Sequence, residues 1–543
     1  MKAECFPISV IPGLSRIFLD QVEGAPAVRA WFGGYAGVAR DRSWQRTPSL
    51  HSATHRAQLA DLLASQNPYE SPDNPTAAKV NAIRQSANAI VTGQQVGLFG
   101  GPLFSAHKAS NAIALAADAT AAGHPHVPVF WLASEDHDFA EINHVTFPAR
   151  RALAKLTYAN APANTVPVGG LVLDDSITPL IDQAWELLGY SDAMEVLAAA
   201  YRPGQTLAGA YSEFYRKTFA AHGLLVLDAA VREAHQLGAP VLQAAIERAD
   251  ELHAVLLDRN RQILAAGYHT QVAVADRGSL LFLIDESTGA RIALKRTPAS
   301  AQEPDGLWHA GRQVLSSADL LAILAAAPER ISPSALLRPI FQDHILPTTA
   351  YIGGPAEIAY FAQSGVLYER ILGRVTPVLP RLSATLIEPA IAELLDRHEL
   401  SFETVLENTE ESLSQRLGAR AIPIAGKKQL AEAGNALDAE LAALTDYMAT
   451  LDEGLGRSAN VSASKMRYQM NRLRRLAANF ELQKEASLAR HAQAITNAVH
   501  PSGIPQERVI GAAYFLARYG DGLIEKLIEE ATDGCPGHKV IRL

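Results

Sequence analysis

Three stretches of the chain gather residue types that do chemistry. The first runs Val91-Thr92-Gly93-Gln94-Gln95-Val96-Gly97-Leu98-Phe99-Gly100-Gly101-Pro102 and leads into Ser105-Ala106-His107-Lys108. Glycines let backbone N–H groups approach an anion closely, and a helix opening after the loop adds partial positive charge. His107 and Lys108 fall in the first turn, where both reach phosphate or carboxylate oxygens. The stretch is not a Walker A loop, because Ala109 stands where Ser or Thr is needed, and it lacks the dinucleotide G-x-G-x-x-G spacing. An ordinary glycine-rich turn is the alternative reading.

The second stretch, Val129-Phe130-Trp131-Leu132-Ala133-Ser134, delivers Glu135, Asp136, His137 and Asp138 after an apolar strand. In open α/β sheets the carboxyl ends of the strands are where ligands bind. Carboxylates there orient amines and hydroxyls, and His137 is an acid/base candidate. Joined by Glu141 and His144, the same cluster has the makings of a divalent-metal site. A hard cation needs several converging oxygens, so substrate binding is preferred and no metal is expected. A solvated loop is the bland alternative. The third stretch holds Arg338, Gln342 and Asp343, then Tyr351-Ile352-Gly353-Gly354-Pro355 with Glu357 and Tyr360. Arg338 offers a planar fork to a carboxylate or phosphate, unless it pairs with Asp343 or Glu357 and only braces the sheet. Glu357 and Tyr360 share one side of a helix that follows Pro355. Two weaker signals are the basic run Lys465, Arg467, Arg472, Arg474 and Arg475, read as a solvated helix face, and Gln506 to Arg508, read as local capping and pairing.

The elements that must position these residues alternate. Strand 89–92, helix 105–122 and strand 127–133 make a βαβ unit, which implies a parallel sheet. A strand at 223–228 leads to a helical region at 239–266, and another strand spans 347–352. Segments 271–274 and 280–284 read as antiparallel strands of an inserted subdomain. From about residue 389 the pattern is helical. Leu437, Leu441, Leu444, Met448, Leu451 and Leu455 form a heptad seam, followed by Met466, Met470, Leu473, Ala477 and Phe480. With Gly454 and Gly456 as the bend, this predicts an antiparallel coiled-coil arm, with a packed bundle as the alternative.

The chain has 543 residues, of which 48% are hydrophobic and 19% charged, enough apolar material for a substantial core. Its net charge of −9 argues against a general nucleic-acid binder. Cys5 and Cys535, 530 residues apart, read as two incidental thiols. No apolar run is long enough for a membrane span, and no leader segment is evident, so a cytoplasmic location is expected.

Together the motifs T-G-Q-Q-x-G-L with its following His-Lys, P-V-F-W with E-D-H-D, R-P-x-x-Q-D and G-G-P-x-E-I-A-Y resemble those of the BshC cysteine-ligase family of bacillithiol biosynthesis. They lie at Thr92 to Lys108, Pro128 to His144 and Arg338 to Tyr360, with Pro505 to Arg508 fitting the family's C-terminal region. The resemblance implies an α/β fold: a Rossmann-like parallel-sheet core similar to class I aminoacyl-tRNA synthetases over residues 1–388, with insertions at about 150–222 and 265–330. A helical coiled-coil domain at 389–500 and a C-terminal helical segment at 501–543 complete it. It further implies a homodimer that adds L-cysteine to glucosaminyl-malate. The matching positions then carry the site: His107, Asp136, His137 and Asp138 as catalytic groups, and Thr92, Gln94, Gln95, Gly101, Ser134, Glu135, Asn143, Arg338, Gln342, Tyr351, Gly353, Gly354, Glu357 and Tyr360 around the substrates. Gly97, Gly100 and Lys108 are left for ATP or another nucleotide. An extra glycine at Gly100-Gly101 and the lack of a K-M-S-K-S segment depart from the family and synthetase patterns. Rival functions are a metal-dependent hydrolase using the Glu135 to His144 cluster and a non-catalytic coiled-coil scaffold.

Overall fold

A computed structural model describes residues 2–35, 42–47, 51–150, 152–298, 306–484 and 486–543. Its centre is a five-stranded parallel sheet of β1 (Asn88–Gln94), β2 (His126–Leu132), β3 (Leu225–Asp228), β4 (Thr348–Gly353) and β5 (Val378–Pro380). The strands lie in the order β5-β4-β1-β2-β3, all neighbours parallel. This is the doubly wound order in which the chain reverses direction between β1 and β4. Strand β2 is buried along its whole length, as a central parallel strand must be. Its side chains alternate: Val127, Val129 and Trp131 enter one hydrophobic core, and Phe130 and Leu132 enter the other.

Helix α1 (Leu103–Ala121) crosses from β1 to β2, and α2 (Pro355–Ile371) crosses from β4 to β5. Buried Ala106, Ala109, Ala112, Ala116 and Ala119 keep α1 thin enough to lie between the sheet and the C-terminal helix Ala512–Thr532. The predicted 239–266 helix is two helices, Arg232–Glu247 and Ala249–Ala265. The predicted strand at 271–274 does not form. Val272 instead exchanges both backbone hydrogen bonds with the Gln363 amide on α2, which docks the segment onto the helix. Strand Gly278–Ile284 therefore pairs with Arg291–Thr297 in a five-stranded inserted sheet with Ile331–Pro333 at one edge.

The coiled-coil arm is α3 (Ile424–Leu451) and α4 (Glu453–Lys484), packed together with the bend at Asp452. Its internal seam differs from the predicted one. Gly434, Leu441 and Thr445 of α3 and Gly456, Ala463 and Ala478 of α4 are buried, while Leu444, Leu451, Leu455, Met466, Leu473 and Phe480 stay exposed. Small residues bring the two backbones close, so the larger heptad side chains turn outward.

The two ends of the chain meet. Strand Lys2–Phe6 pairs antiparallel with His538–Arg542, which runs parallel to Ser383–Ile387. This register sets Cys5 against Lys539, close enough to the turn at Cys535 for a Cys5–Cys535 disulfide with Cα atoms 6.1 Å apart. The expectation of two incidental thiols is thereby corrected; a separation of 530 residues concealed the contact. Cys5→Ser is expected to destabilise the oxidised protein by about 2–4 kcal/mol. Thermal melts with and without reductant check this: the wild type should fall to the variant's midpoint when reduced, and the variant should not respond.

Candidate active site

The carboxyl ends of β1 and β4, where the sheet order reverses, open into a cavity of about 270 Å³. Gly93 and Gln94 come from the end of β1, and Trp131 and Ala133 from β2 and the residue beyond it. Tyr351 and Gly354 come from β4 and its turn, and Arg381 follows β5. Helix α1 adds Phe104 and Lys108; α2 adds Glu357 and Tyr360. Gln95, Arg338, Gln342, Asp136, Glu141 and Arg508 complete the polar lining.

Lys108 is the most constrained of these groups. It is 1% exposed, and its ammonium donates to Gly93 O (2.6 Å) and Gln94 Oε1 (3.1 Å) and pairs with Glu357. Burial lowers its pKa, and Glu357 opposes that shift. Glu357 is itself held: Tyr351 donates its hydroxyl to Oε1 (2.6 Å) and the Gly354 N–H donates to Oε2 (2.7 Å). A buried charge persists only when paired and hydrogen-bonded in this way.

Asp136 forms the opposite wall. Its carboxylate accepts from Gln95 Nε2 (2.9 Å) and from the His137 N–H (2.7 Å), with Arg338 at 3.8 Å. Burial would raise its pKa, but Arg338 and these hydrogen bonds prevail and hold it below its ordinary value. Arg338 thus faces Asp136, and not Asp343 or Glu357 as the bracing alternative required. Asp343 is taken by Gln342 Nε2 (3.0 Å) and the Tyr368 hydroxyl (2.6 Å). Among the described residues the Arg338 Nε is buried without a hydrogen-bond partner. Burial also raises the Tyr360 hydroxyl, which therefore stays a proton donor at neutral pH.

Behind the cavity lies a second charged cluster. Glu507 is 3% exposed and accepts from Arg381 through both oxygens (2.6 and 2.8 Å), from the Ala384 N–H (3.1 Å) and from His107 Nδ1 (3.2 Å). The segment at Gln506 to Arg508 is therefore more than a local cap. Gln506 bonds to both the N–H and the carbonyl of Leu386, Glu507 fixes Arg381, and Arg508 lines the cavity. Lys108, Arg381 and Arg508 all stand within 5.8 Å of the Phe104 ring centroid.

Of the residues expected at the site, Gln94, Gln95, Lys108, Asp136, Arg338, Gln342, Tyr351, Gly354, Glu357 and Tyr360 line this one cavity. Others lie elsewhere. His107 is fully buried behind it, its pKa lowered by burial against the pull of Glu507, to which it is bonded. His137 turns to the inserted sheet, where Arg291 donates to its Nδ1 (3.1 Å). Asp138 caps the short helix Phe139–Ile142 through the Glu141 N–H. Thr92 donates to Ile352 O, Asn143 to Tyr158 O, and Gly353 O accepts from the Arg381 N–H. Ser134 bonds Asp228, and Glu135 meets His235 at 3.1 Å.

The glycine loop is not an anion cradle. The Tyr201 hydroxyl accepts from the Gly100 N–H and donates to Gly97 O, and Tyr215 donates to Gly100 O, so the Gly100 N–H and both carbonyls are already satisfied. Gly101 N bonds Leu98 O. These residues do not fit a nucleotide phosphate. The metal reading fares similarly: Glu135, Asp136, His137 and His144 serve different partners, and among the described residues no three His, Cys, Asp or Glu side chains group as a metal site requires. Sequence reasoning missed Arg381 altogether. Its available signal was its place directly after Pro380, at the carboxyl tip of a parallel strand.

Comparison with known proteins decides the family. Residues 1–382 match the N-terminal Rossmann-like domain of bacillithiol biosynthesis BshC, and residues 384–543 match its C-terminal coiled-coil domain. The chain belongs to the BshC family. Relatives named "Putative cysteine ligase BshC" include one from Koribacter versatilis, 39% identical with 100% of both chains covered, and one from Solibacter usitatus, 34% identical over the same share. The Geobacillus kaustophilus relative is 28% identical with 98% of each chain covered. The BshC family's Rossmann-like and coiled-coil parts meet here through Glu507, which binds the sheet-end Arg381 from the C-terminal side.

Glu507→Gln leaves Arg381 buried without its carboxylate and is expected to cost about 3–5 kcal/mol at neutral pH. Burial would raise the Glu507 carboxyl, yet Arg381 and His107 hold it well below its ordinary value of 4.5. Its stabilisation is therefore present above pH 4.5 and lost as pH falls below that value through the folded pKa. Urea unfolding from neutral pH to about pH 3.5 checks both: the variant should start lower and show a shallower acid decline.

Proposed function

We propose that this protein is a ligase that adds L-cysteine to glucosaminyl-malate, forming an amide in the last step of bacillithiol synthesis. The observation that carries this reading is one small cavity at the sheet's switch point that offers fixed charges of both signs. Such a site suits an amino acid, whose ammonium and carboxyl groups need opposite partners. Asp136, kept ionised by Arg338, is placed for the ammonium group. Arg338, Tyr360 and Arg508 are placed for the carboxyl oxygens.

Amide formation in water needs an activated carboxyl group. We assign that activation to ATP or another nucleotide as co-substrate, and give it no place at Gly97, Gly100 or Gly101. The acceptor nitrogen then attacks the carbonyl carbon and the C–N bond forms. The C–O bond to the activating group breaks, and the leaving group keeps the electron pair. Guanidinium groups facing the carbonyl oxygen stabilise the developing oxyanion. The amine must also lose a proton. Glu141 lines the cavity, and its carboxylate has no hydrogen bond or ion pair among the described residues, so it is the base we assign in place of His137.

The same reading holds the protein to be a cytoplasmic homodimer. Among the described residues no helix is long and apolar enough to cross a membrane. The exposed Leu444, Leu451, Leu473 and Phe480 on the arm support association through that element. Neither a hydrolase nor a scaffold accounts for a single cavity that gathers fixed charges of both signs from distant parts of the chain. Purified protein given cysteine, glucosaminyl-malate and ATP should yield the amide by mass spectrometry. Arg338→Ala should lower kcat/KM by about tenfold to a hundredfold, the worth of a charge-assisted hydrogen bond. No amide under any nucleotide, or full activity in the variant, would contradict the assignment.

A further inference from the structure

A second, larger cavity of about 750 Å³ shares a wall with the first. Pro355, Ala356, Arg381 and Arg508 line both, so the start of α2 and two guanidinium groups stand between them. The far side is built from the N-terminal segment Ile8 to Arg16, from His269 and Gln271, and from Gly503 to Pro505. Glu507 reaches it too, but its charge is met by Arg381. Arg508 has no hydrogen bond or close ion pair among the described residues; it overlooks Phe104 and feels Glu507, Glu141 and Glu357 at longer range. Arg16 pairs weakly with Asp20 at 3.6 Å, with 70% of its side chain exposed. The wall is thus cationic and is set among Ser15, Ser383, Gln271 and His269, which suit hydroxyl groups.

The first cavity, at about 270 Å³, is the smaller of the two, and the second has the room for a larger, hydroxylated molecule. We infer that the second cavity receives the acceptor, a hydroxylated amine carrying carboxylates, with its anionic end near Arg16, His269 and Arg508 and its amine directed past the shared wall into the first cavity. This inference rests on the ligase reading and adds the place of the second substrate. It divides the two substrates between cavities that meet at Arg381 and Arg508, and it makes the N-terminal segment part of the acceptor site.

Arg16→Glu and His269→Glu change groups that line only the second cavity and are exposed, so folding should survive. Titration calorimetry of the full-length protein with glucosaminyl-malate, L-cysteine and ATP as separate probes tests the division. In each variant the Kd for glucosaminyl-malate should rise about tenfold or more, as a carboxylate set facing an anionic ligand predicts, while that for cysteine stays unchanged. Unaltered glucosaminyl-malate affinity in both variants overturns the inference, and so does a loss confined to ATP, which would make the cavity a nucleotide site. Both results leave the ligase reading intact. A wild-type protein that binds neither cysteine nor glucosaminyl-malate sinks both.

Discussion

An ammonium group buried at the point where the sheet reverses its order is the constraint on which the rest of the site depends. Lys108 cannot be left there unpaired, and its three partners come from two places: Gly93 O and the Gln94 side chain at the end of β1, and Glu357 on α2. Holding Lys108 therefore fixes the distance between β1 and β4 at their carboxyl ends. Glu357 passes the constraint on, since it also gathers Tyr351 and the Gly354 N–H. Charge pairs and rings pin several of the crevice's long side chains, Lys108, Glu357 and Arg381 among them.

The C-terminal part of the chain belongs to this site as much as the sheet does. Glu507 neutralises Arg381, and the neighbouring Arg508 faces the cavity. The last strand, His538–Arg542, is sandwiched between Lys2–Phe6 and Ser383–Ile387. In sequence the helical arm lies between Ser383–Ile387 and Gln506 to Arg508.

Much of the fold was legible because buried parallel strands write themselves as apolar runs. The strand at 127–133 and the helix at 105–122 agree with β2 and α1 to within two residues at each end. The cavity's polar lining was legible where a residue sits at a strand tip or a helix start, as Gln94, Asp136, Lys108 and Glu357 do. Side-chain direction was not. His107 shares a helix turn with Lys108 yet points to Glu507, and His137 follows Asp136 yet turns to Arg291. Glycine spacing misled as well, because Tyr201 and Tyr215, a hundred residues away, occupy the loop's hydrogen-bonding groups. Long-range partners of this kind leave no local pattern, and the same is true of Cys5 with Cys535.

The central claim is that the crevice between β1 and β4 is where a small zwitterion is bound. A crystal structure of the full-length protein with L-cysteine tests it most directly. The account predicts ligand density among Gln94, Asp136, Arg338 and Tyr360, with the ammonium on Asp136 and the carboxylate on a guanidinium. Cysteine bound on another face of the molecule, with this crevice filled only by solvent, would contradict it.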